Sequence, residues 1–343
     1  MAPRKAGRKM GAGCELAAPA SLILVKGFSM QHRVAILLPC RNEAAAIANV
    51  VASFRVALPE AQIYVYDNNS TDDTAERAAQ AGAIVCHEKL VGKGNVVRRM
   101  FSDIEADIYV MADGDGTYDA TQAPELIRRI ADDQIDMVVA TRAPDADQNT
   151  YRLGHRAGNR TLTGFVGWLF GPRFSDILSG YRAFSRRFVK SFPALAQGFE
   201  IETELTIHAL ELKMPVDELE TRYYARAGGS TSKLSTWRDG FRIFATILFL
   251  FKEVRPFKFF GALFAILAAL SLVLAYPVLI TFIQTGLVPR LPTAVLSMGV
   301  MVLAFIALVS GIILDSVSRG RRESKRMHYL ALPSPAKRPA APD

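Results

Sequence analysis

Val34-Ala35-Ile36-Leu37-Leu38-Pro39-Cys40-Arg41-Asn42-Glu43 is the stretch on which the fold turns. Six apolar residues run without interruption from Val34 to Pro39, then the chain becomes polar within two positions. A run this short and this apolar suits a strand buried on both faces, which is the signature of a parallel sheet covered by helices. The same sentence structure repeats downstream. The composition predicts strands at Ile63–Tyr66, Ala83–Cys86, Ile108–Ala112 and Met137–Ala140. Between them it predicts helices over Glu43–Arg55, Thr71–Ala81, Asn95–Ile104 and Ala123–Ala131. Strand–helix alternation of this kind implies an α/β, mostly parallel sheet with helices on both faces. In such sheets ligands sit beyond the C-terminal ends of the strands.

Polar clusters fall at those ends. Asp67-Asn68-Asn69-Ser70-Thr71-Asp72 follows the second strand, where a carboxylate is placed to accept from the imino N–H of a base such as uracil or guanine; Asp/Asn/Ser clusters are also ordinary turns and N-caps. Asp113-Gly114-Asp115 follows the fourth strand. Two carboxylates one residue apart suit a divalent cation shared with a diphosphate, since Mg²⁺ and Mn²⁺ take a few hard protein oxygens plus phosphate oxygens. An EF-hand is excluded, because Tyr118 and Pro124 stand where that loop needs Gly and Glu. Gly92-Lys93-Gly94 lacks Walker spacing, and Asn95 stands where Ser or Thr is needed; a mobile lysine near donor phosphates is the reading that remains.

Outward from this core the chain changes character. Phe259–Ile283 and Leu291–Leu314 contain no charged residue, and each exceeds the roughly 20 residues needed to cross a bilayer as a helix. The connector Gln284–Arg290 is a turn. Lys252, Arg255 and Lys258 precede the pair, and Arg319, Arg321, Arg322, Lys325 and Arg326 follow it, so both ends and the catalytic domain are expected on the cytoplasmic side. Trp237–Phe251 carries apolar residues at helical spacing and reads as an interfacial or a core-packing helix. The expected division is a disordered basic tail (1–31), a catalytic domain (32–235), a juxtamembrane amphipathic segment (236–258), a transmembrane hairpin (259–314) and a cytoplasmic basic tail (315–343). Met30 is an alternative start, and Ala18–Val25 is too short and lacks a cleavage site for a signal peptide.

Over all 343 residues the net charge is +8 with 50% hydrophobic residues. Cations that flank apolar spans point to anionic lipid headgroups, and no nucleic-acid-binding motif is present. Cys14, Cys40 and Cys86 form neither a disulfide framework nor a metal cluster.

The order of these pieces resembles the family 2 glycosyltransferases of GT-A fold, and among them the polyprenyl-phosphate sugar synthases of dolichyl-phosphate-mannose-synthase type. The resemblance continues through Asp176-Ile177-Leu178-Ser179-Gly180-Tyr181-Arg182, Gly198-Phe199-Glu200-Ile201-Glu202-Thr203-Glu204 and Arg226-Ala227-Gly228-Gly229-Ser230-Thr231-Ser232-Lys233-Leu234. It implies a Rossmann-like GT-A domain and an inverting transfer from a UDP- or GDP-sugar to a polyprenyl phosphate. It also implies a membrane location, with homo-oligomerisation left open. Residue by residue, it implies a donor site of Pro39, Asn42, Glu43, Asp67, Asn69, Lys93, Asp113 and Gly114, with Mg²⁺ or Mn²⁺ on Asp113 and Asp115. Arg226, Ser232, Lys233 and Arg182 are expected to meet the acceptor phosphate, and Asp115, Asp176, Arg226 and Lys233 to serve catalysis. Asp176 is equally readable as a helix-start residue. Thr117 stands where the family often has Gln, which leaves the third metal ligand to Asp119 or water. A processive polysaccharide synthase would want a Gln-x-x-Arg-Trp motif and further spans, and both are missing; a degraded non-catalytic relative would have lost Asp113 or Asp115, and both are present.

Overall fold

The computed structural model describes residues 32–142, 161, 163–168, 174–195, 198, 200–224, 248–249 and 251–334. Arg226, Ser232, Lys233 and nearly all of the Trp237–Phe251 segment lie outside them.

Seven strands form one sheet: β1 (Val34–Cys40), β2 (Gln62–Asp67), β3 (Ile84–His87), β4 (Ile108–Met111), β5 (Met137–Arg142), β6 (Arg182–Ser185) and β7 (Val216–Thr221). Their order is β3-β2-β1-β4-β6-β5-β7. All neighbours run parallel except β6, which is antiparallel to both β4 and β5. The chain leaves β1 toward β2 on one side and later returns to β4 on the other. The space at the C-terminal ends of β1 and β4 is therefore a topological switch point, where α/β sheets bind ligands.

Period-2 alternation divides the core between the two faces. Ile36, Leu38 and Cys40 of β1 face helices α1 (Ile47–Ala57) and α4 (Ala123–Ala131), joining Val51, Phe54, Leu126 and Ile130. Ala35 and Leu37 face the opposite way, joining Val97, Met100 and Phe101 of α3 (Lys93–Asp103). That second face also receives Phe188 of α5 (Arg186–Ser191) and Leu205 of α6 (Ile201–Leu212). A short helix, α2 (Thr74–Gln80), follows β2. Helix α1 stops at Leu58, immediately before Pro59, as expected where proline disfavours helical backbone in the preceding residue. Pro124 lies in the first turn of α4, where its missing N–H costs nothing.

Two long helices close the chain: α7 (Pro256–Thr285) and α8 (Leu291–Leu330). Both are long and apolar enough to cross a membrane. They form a hairpin around a narrow seam. Ser297, Ala304, Ala307 and Gly311 are the buried residues of α8, Ser271 Oγ donates to the Ser297 carbonyl at 2.6 Å, and Phe264 packs on Phe305. Small residues let apolar helices approach closely, whereas Ile266, Val273, Ile283 and Met298 are turned outward. Gly286, with φ 68°, ends α7.

Helix α8 runs past the end of the apolar span. Residues 315–330, read from charge as the start of a cytoplasmic tail, continue the helix without a break. Charge ends the apolar span but not the helix, since Arg, Glu, Lys and Met are good helix formers and Asp315 pairs with Arg319 one turn on.

Candidate active site

The first two strands end in loops that are stitched together. Asn42 and Asn69 both adopt left-handed backbone (φ 56°), which Asn tolerates better than most residues. The Asn42 side chain accepts from Thr71 N–H at 2.8 Å, Asn42 N–H donates to Ser70 Oγ, and Glu43 N–H donates to Thr74 Oγ1, both at 2.9 Å. Asn68, which was passed over in the motif, is buried. It donates to the carbonyls of Glu88 and Leu90 at 2.9 and 2.8 Å and accepts from Gly92 N–H at 2.8 Å. Asn69 donates to the Lys89 carbonyl at 2.7 Å. The loops after β1, β2 and β3 thus form one polar shelf, with Pro39 at its root on β1.

Asp67 stands within this shelf. Its register partner is Cys40, so the second strand's carboxylate lies beside the end of the first. Both carboxylate oxygens lie 3.3 Å from Ser70 N, and His87 Nδ1 lies 3.4 Å away.

Asp113 and Asp115 stand at the end of β4. A Cβ on Gly114 would collide with Cys40 Sγ, so glycine lets this turn lie flat against β1. Asp115 is buried, and one of its oxygens accepts from Thr117 N–H at 3.1 Å and from Thr117 Oγ1 at 2.7 Å. Thr117 therefore orients Asp115. Asp119 is engaged differently, accepting from Thr121 N–H and hydroxyl at 3.0 and 2.7 Å. A cavity of about 210 Å³ opens beside Asp113 and Asp115, bounded on its far side by Asn49, Val50 and Ser53 of α1.

Lys93 is placed otherwise than expected. It is the first residue of α3 rather than a mobile loop lysine, and its ammonium lies 2.5 Å from both Asp113 and Glu202. Burial opposes its charge, but the two carboxylates outweigh that and hold it protonated. Gly180 lies against this pair, since a Cβ there would stand 2.7 Å from Asp113 Oδ2 and 3.0 Å from Lys93 Nζ. Glu202 enters the site from α6 with one oxygen on Lys93; the other is buried and has no hydrogen-bond partner among the described residues. It sits inside the quoted Glu202-Thr203-Glu204 motif, which was the signal available for it.

Arg182 is corrected by the structure. It is fully buried, and it donates to the carbonyls of Ser179 and Ile177 at 2.8 and 2.6 Å and to Thr206 Oγ1 at 2.9 Å. Burial pushes its pKa down to about 10. Its guanidinium is turned into the interior and bonds there. Asp176 is buried and paired in two-pronged fashion with Arg142 at 2.6 and 2.8 Å, a partner the sequence did not suggest. It also accepts from Leu178 N–H at 3.2 Å, which opens a turn rather than a helix.

Asp113 and Asp115 offer hard oxygens on one turn beside a cavity. That donor set suits Mg²⁺ or Mn²⁺ sharing a diphosphate. Among the described residues no group of three or more His, Cys, Asp or Glu forms a closed cage.

Residues 35–191 match the sequence family described as Glycosyl transferase family 2. Glycosyltransferase AglJ of Haloferax volcanii is 35% identical over 302 residues, covering 87% of this chain and 98% of that protein. The chain belongs to the family 2 glycosyltransferases. Protein RfbJ of Shigella flexneri is 58% identical to this glycosyltransferase over 123 residues, which is 36% of this chain and 95% of RfbJ. The fold is shared with glucosyl-3-phosphoglycerate synthase from Mycobacterium tuberculosis in complex with Mn²⁺, UDP-glucose and phosphoglyceric acid. That likeness has a TM-score of 0.52 and 24% identity, over 63% of this chain and 79% of that one. The expected GT-A sheet is thereby found, and the enzyme is a glycosyltransferase.

Proposed function

We propose that this glycosyltransferase moves a sugar, with inversion, from a nucleotide-sugar onto a polyprenyl phosphate at the inner face of the cytoplasmic membrane. One observation carries the reading. The acidic turn Asp113–Asp115 lies at the edge of the sheet where β7 also ends, and two helices long enough to span a bilayer follow in the chain. Contacts tie the domain to the first of these helices. Phe165 and Trp168 pack on Phe251, Phe251 packs on Phe259 of α7, and Lys258 lies over the Trp168 ring. An acceptor confined to the bilayer by its prenyl chain presents its phosphate at headgroup depth, close to such an edge.

In this reading the shelf around Asp67, Asn42 and Asn69 holds the base and ribose, and Asp113 and Asp115 hold Mg²⁺ or Mn²⁺ with the donor diphosphate. A divalent cation bound there supplies charge neutralisation for the leaving nucleoside diphosphate. The Mn²⁺ and UDP-glucose of the mycobacterial synthase support this half of the proposal. Arg226, Ser232 and Lys233 are assigned to phosphate on the family resemblance. A phosphate oxygen of the acceptor attacks the anomeric carbon as the bond to the diphosphate breaks. A phosphate monoester has a second pKa of about 6, so it arrives largely dianionic and needs no strong base. Asp176, held by Arg142, is assigned to ordering the acceptor side. Both termini and the catalytic domain are assigned to the cytoplasm.

The test is transfer of radiolabel from a panel of UDP- and GDP-sugars, with Mg²⁺ or Mn²⁺, into chloroform-soluble lipid by purified enzyme in nanodiscs. Label in a mild-acid-labile lipid monophosphate sugar is the expected product. Label only in water-soluble or polymeric material would overturn the lipid acceptor.

A further inference from the structure

The lower half of α8 touches the catalytic domain at its far end. Asp136 is fully buried and immediately precedes β5, so it lies at the edge of the sheet opposite Asp113 and Asp115. It accepts from Ser185 Oγ at 2.6 Å, from Arg187 at 2.5 and 2.7 Å, and from the hydroxyl of Tyr329 at 2.7 Å. Arg187 also lies 4.9 Å from the centre of the Tyr329 ring, and that ring packs against the second core face. One helix turn earlier, Lys325 pairs with Glu211 at 3.2 Å. Glu211 is near the end of α6, the helix whose start delivers Glu202 to Lys93. Closer to the apolar span, Ser318 donates to the Glu253 carbonyl and Arg321 pairs with the Glu253 carboxylate.

These contacts allow two lengths to be compared. From Asp315, where the apolar span ends, to Tyr329 the helix rises about 21 Å. The six residues of β5, from the Asp136 edge to the catalytic edge, rise about 20 Å. A rod that leaves the bilayer and is pinned to the distal edge is therefore long enough for the catalytic edge to reach back to the level where the rod emerged.

We propose that residues 315–330 act as a strut that sets the height and tilt of the catalytic edge against the lipid surface, with Tyr329 and Lys325 as positioning residues for the acceptor phosphate. The Asp136 clamp pins the far edge, and the contacts of Phe251 with Phe165 and Trp168 give the domain a second attachment, beside the start of α7. A domain tethered only at the near edge would rock, and a phosphate fixed at headgroup depth would meet the donor less often in line. The inference rests on the lipid-acceptor reading for its consequence, but its geometry has a readout that does not depend on turnover.

The experiment uses the full chain in nanodiscs with Cys14→Ser, leaving only the buried Cys40 and Cys86 besides one introduced thiol. A fluorophore is placed at Leu90→Cys, on the exposed loop after β3 at the catalytic edge, or at Glu60→Cys, exposed at the opposite edge. Quenching by a lipid-borne nitroxide should be strong at position 90 and weak at 60. Two uncoupled forms follow: Lys325→Ala with Tyr329→Ala, and a Gly-Ser-Gly-Ser insertion after Gly320. Each should bring the two quenching values together. Each should also lower transfer to long prenyl phosphate in bilayers by about tenfold while transfer to a short prenyl phosphate in detergent, where diffusion replaces orientation, stays within about twofold. Unchanged quenching contrast in both forms overturns the strut, as does equal loss on both acceptors. Loss of nucleotide binding in both forms also overturns it, because the segment would then serve folding. Absence of any prenyl product from the unsubstituted enzyme sinks the acceptor reading alone, and the quenching contrast still decides the strut.

Discussion

Thr117 gives its N–H and its hydroxyl to one oxygen of Asp115, which leaves the other oxygen's direction set by the same two bonds. This single residue replaces the Gln common at that position, and its role is to aim a carboxylate. Asp115→Ala is expected to abolish transfer with folding intact, because one of the two carboxylates proposed to hold the metal is gone; near-normal activity with Mg²⁺ or Mn²⁺ would remove the metal assignment. Thr117→Val keeps the shape and deletes the hydroxyl. A hydrogen bond to a charged group is worth about 1.5–3 kcal/mol, so metal affinity, followed by titrating Mn²⁺ against activity, should weaken by about tenfold or more. Arg182 belongs at this scale for the opposite reason. Its motif position implies phosphate by resemblance, yet each of its three nitrogens donates inside the protein, to the Ser179 and Ile177 carbonyls and Thr206. Arg182→Lys leaves buried acceptors unmet at about 1–3 kcal/mol each, so the midpoint of unfolding should fall sharply while KM for acceptor in the surviving folded enzyme stays put. A raised acceptor KM at unchanged stability would restore Arg182 to the phosphate site.

Elements were legible in the sequence where burial is uniform and illegible where polar groups are buried. β1 and β4 are apolar on both faces and stood out as runs; α4 matched its expected bounds, Ala123–Ala131. β6 did not stand out. It is four residues long, opens on Arg182, and lies antiparallel inside a parallel sheet, so neither length nor composition announced it. α6 was hidden because it is buried nearly all round yet carries Glu202, Thr203, Thr206 and His208. His208 shows what such burial does. Its Nε2 lies 3.2 Å from Ser191 Oγ, its Nδ1 is buried with no hydrogen-bond partner among the described residues, and burial, aided by the nearby Lys325 charge, pushes its pKa down to about 3. The folded chain therefore keeps the imidazole neutral, whereas the unfolded chain takes up a proton below its ordinary value of 6.5. Stability from this group is complete above about pH 6.5 and is lost as the pH falls from there toward 3, by up to about 1.4 kcal/mol per pH unit. Chemical unfolding of the full chain between pH 7.5 and 5 should show this loss, and His208→Gln should flatten it. An unaltered slope in His208→Gln would assign the acid sensitivity to other groups.

At the scale of the whole molecule, charge and hydropathy marked where the apolar spans stop but not where the rigid structure stops. The acidic turn and the order of the motifs were readable because chemistry concentrates at strand ends; the docking of 315–330 was not, because it depends on Asp136 and Glu211, which are distant in the chain and unremarkable in sequence. That docking changes what removal of the hairpin should do. A chain ending after Lys252 retains the whole sheet and both core faces. Asp136 keeps Ser185 and Arg187, so no buried carboxylate is stranded. It loses the Tyr329 hydroxyl, the cation–π contact on Arg187 and the Lys325–Glu211 pair. A hydrogen bond to a charged group contributes about 1.5–3 kcal/mol and a partly exposed cation–π contact about 0.5–1 kcal/mol, so the core should fold with stability lowered by roughly 2–4 kcal/mol. Isothermal titration with a nucleoside diphosphate and Mn²⁺ should give near-normal affinity for this core, since the polar shelf and the acidic turn lie on the opposite edge from the lost contacts. Adding back a synthetic 315–334 peptide should recover part of the stability without altering nucleotide affinity. A core that fails to bind nucleotide at a temperature where it is folded would mean the two edges of the sheet are coupled, and that the C-terminal helix shapes the donor site as well as resting against the domain.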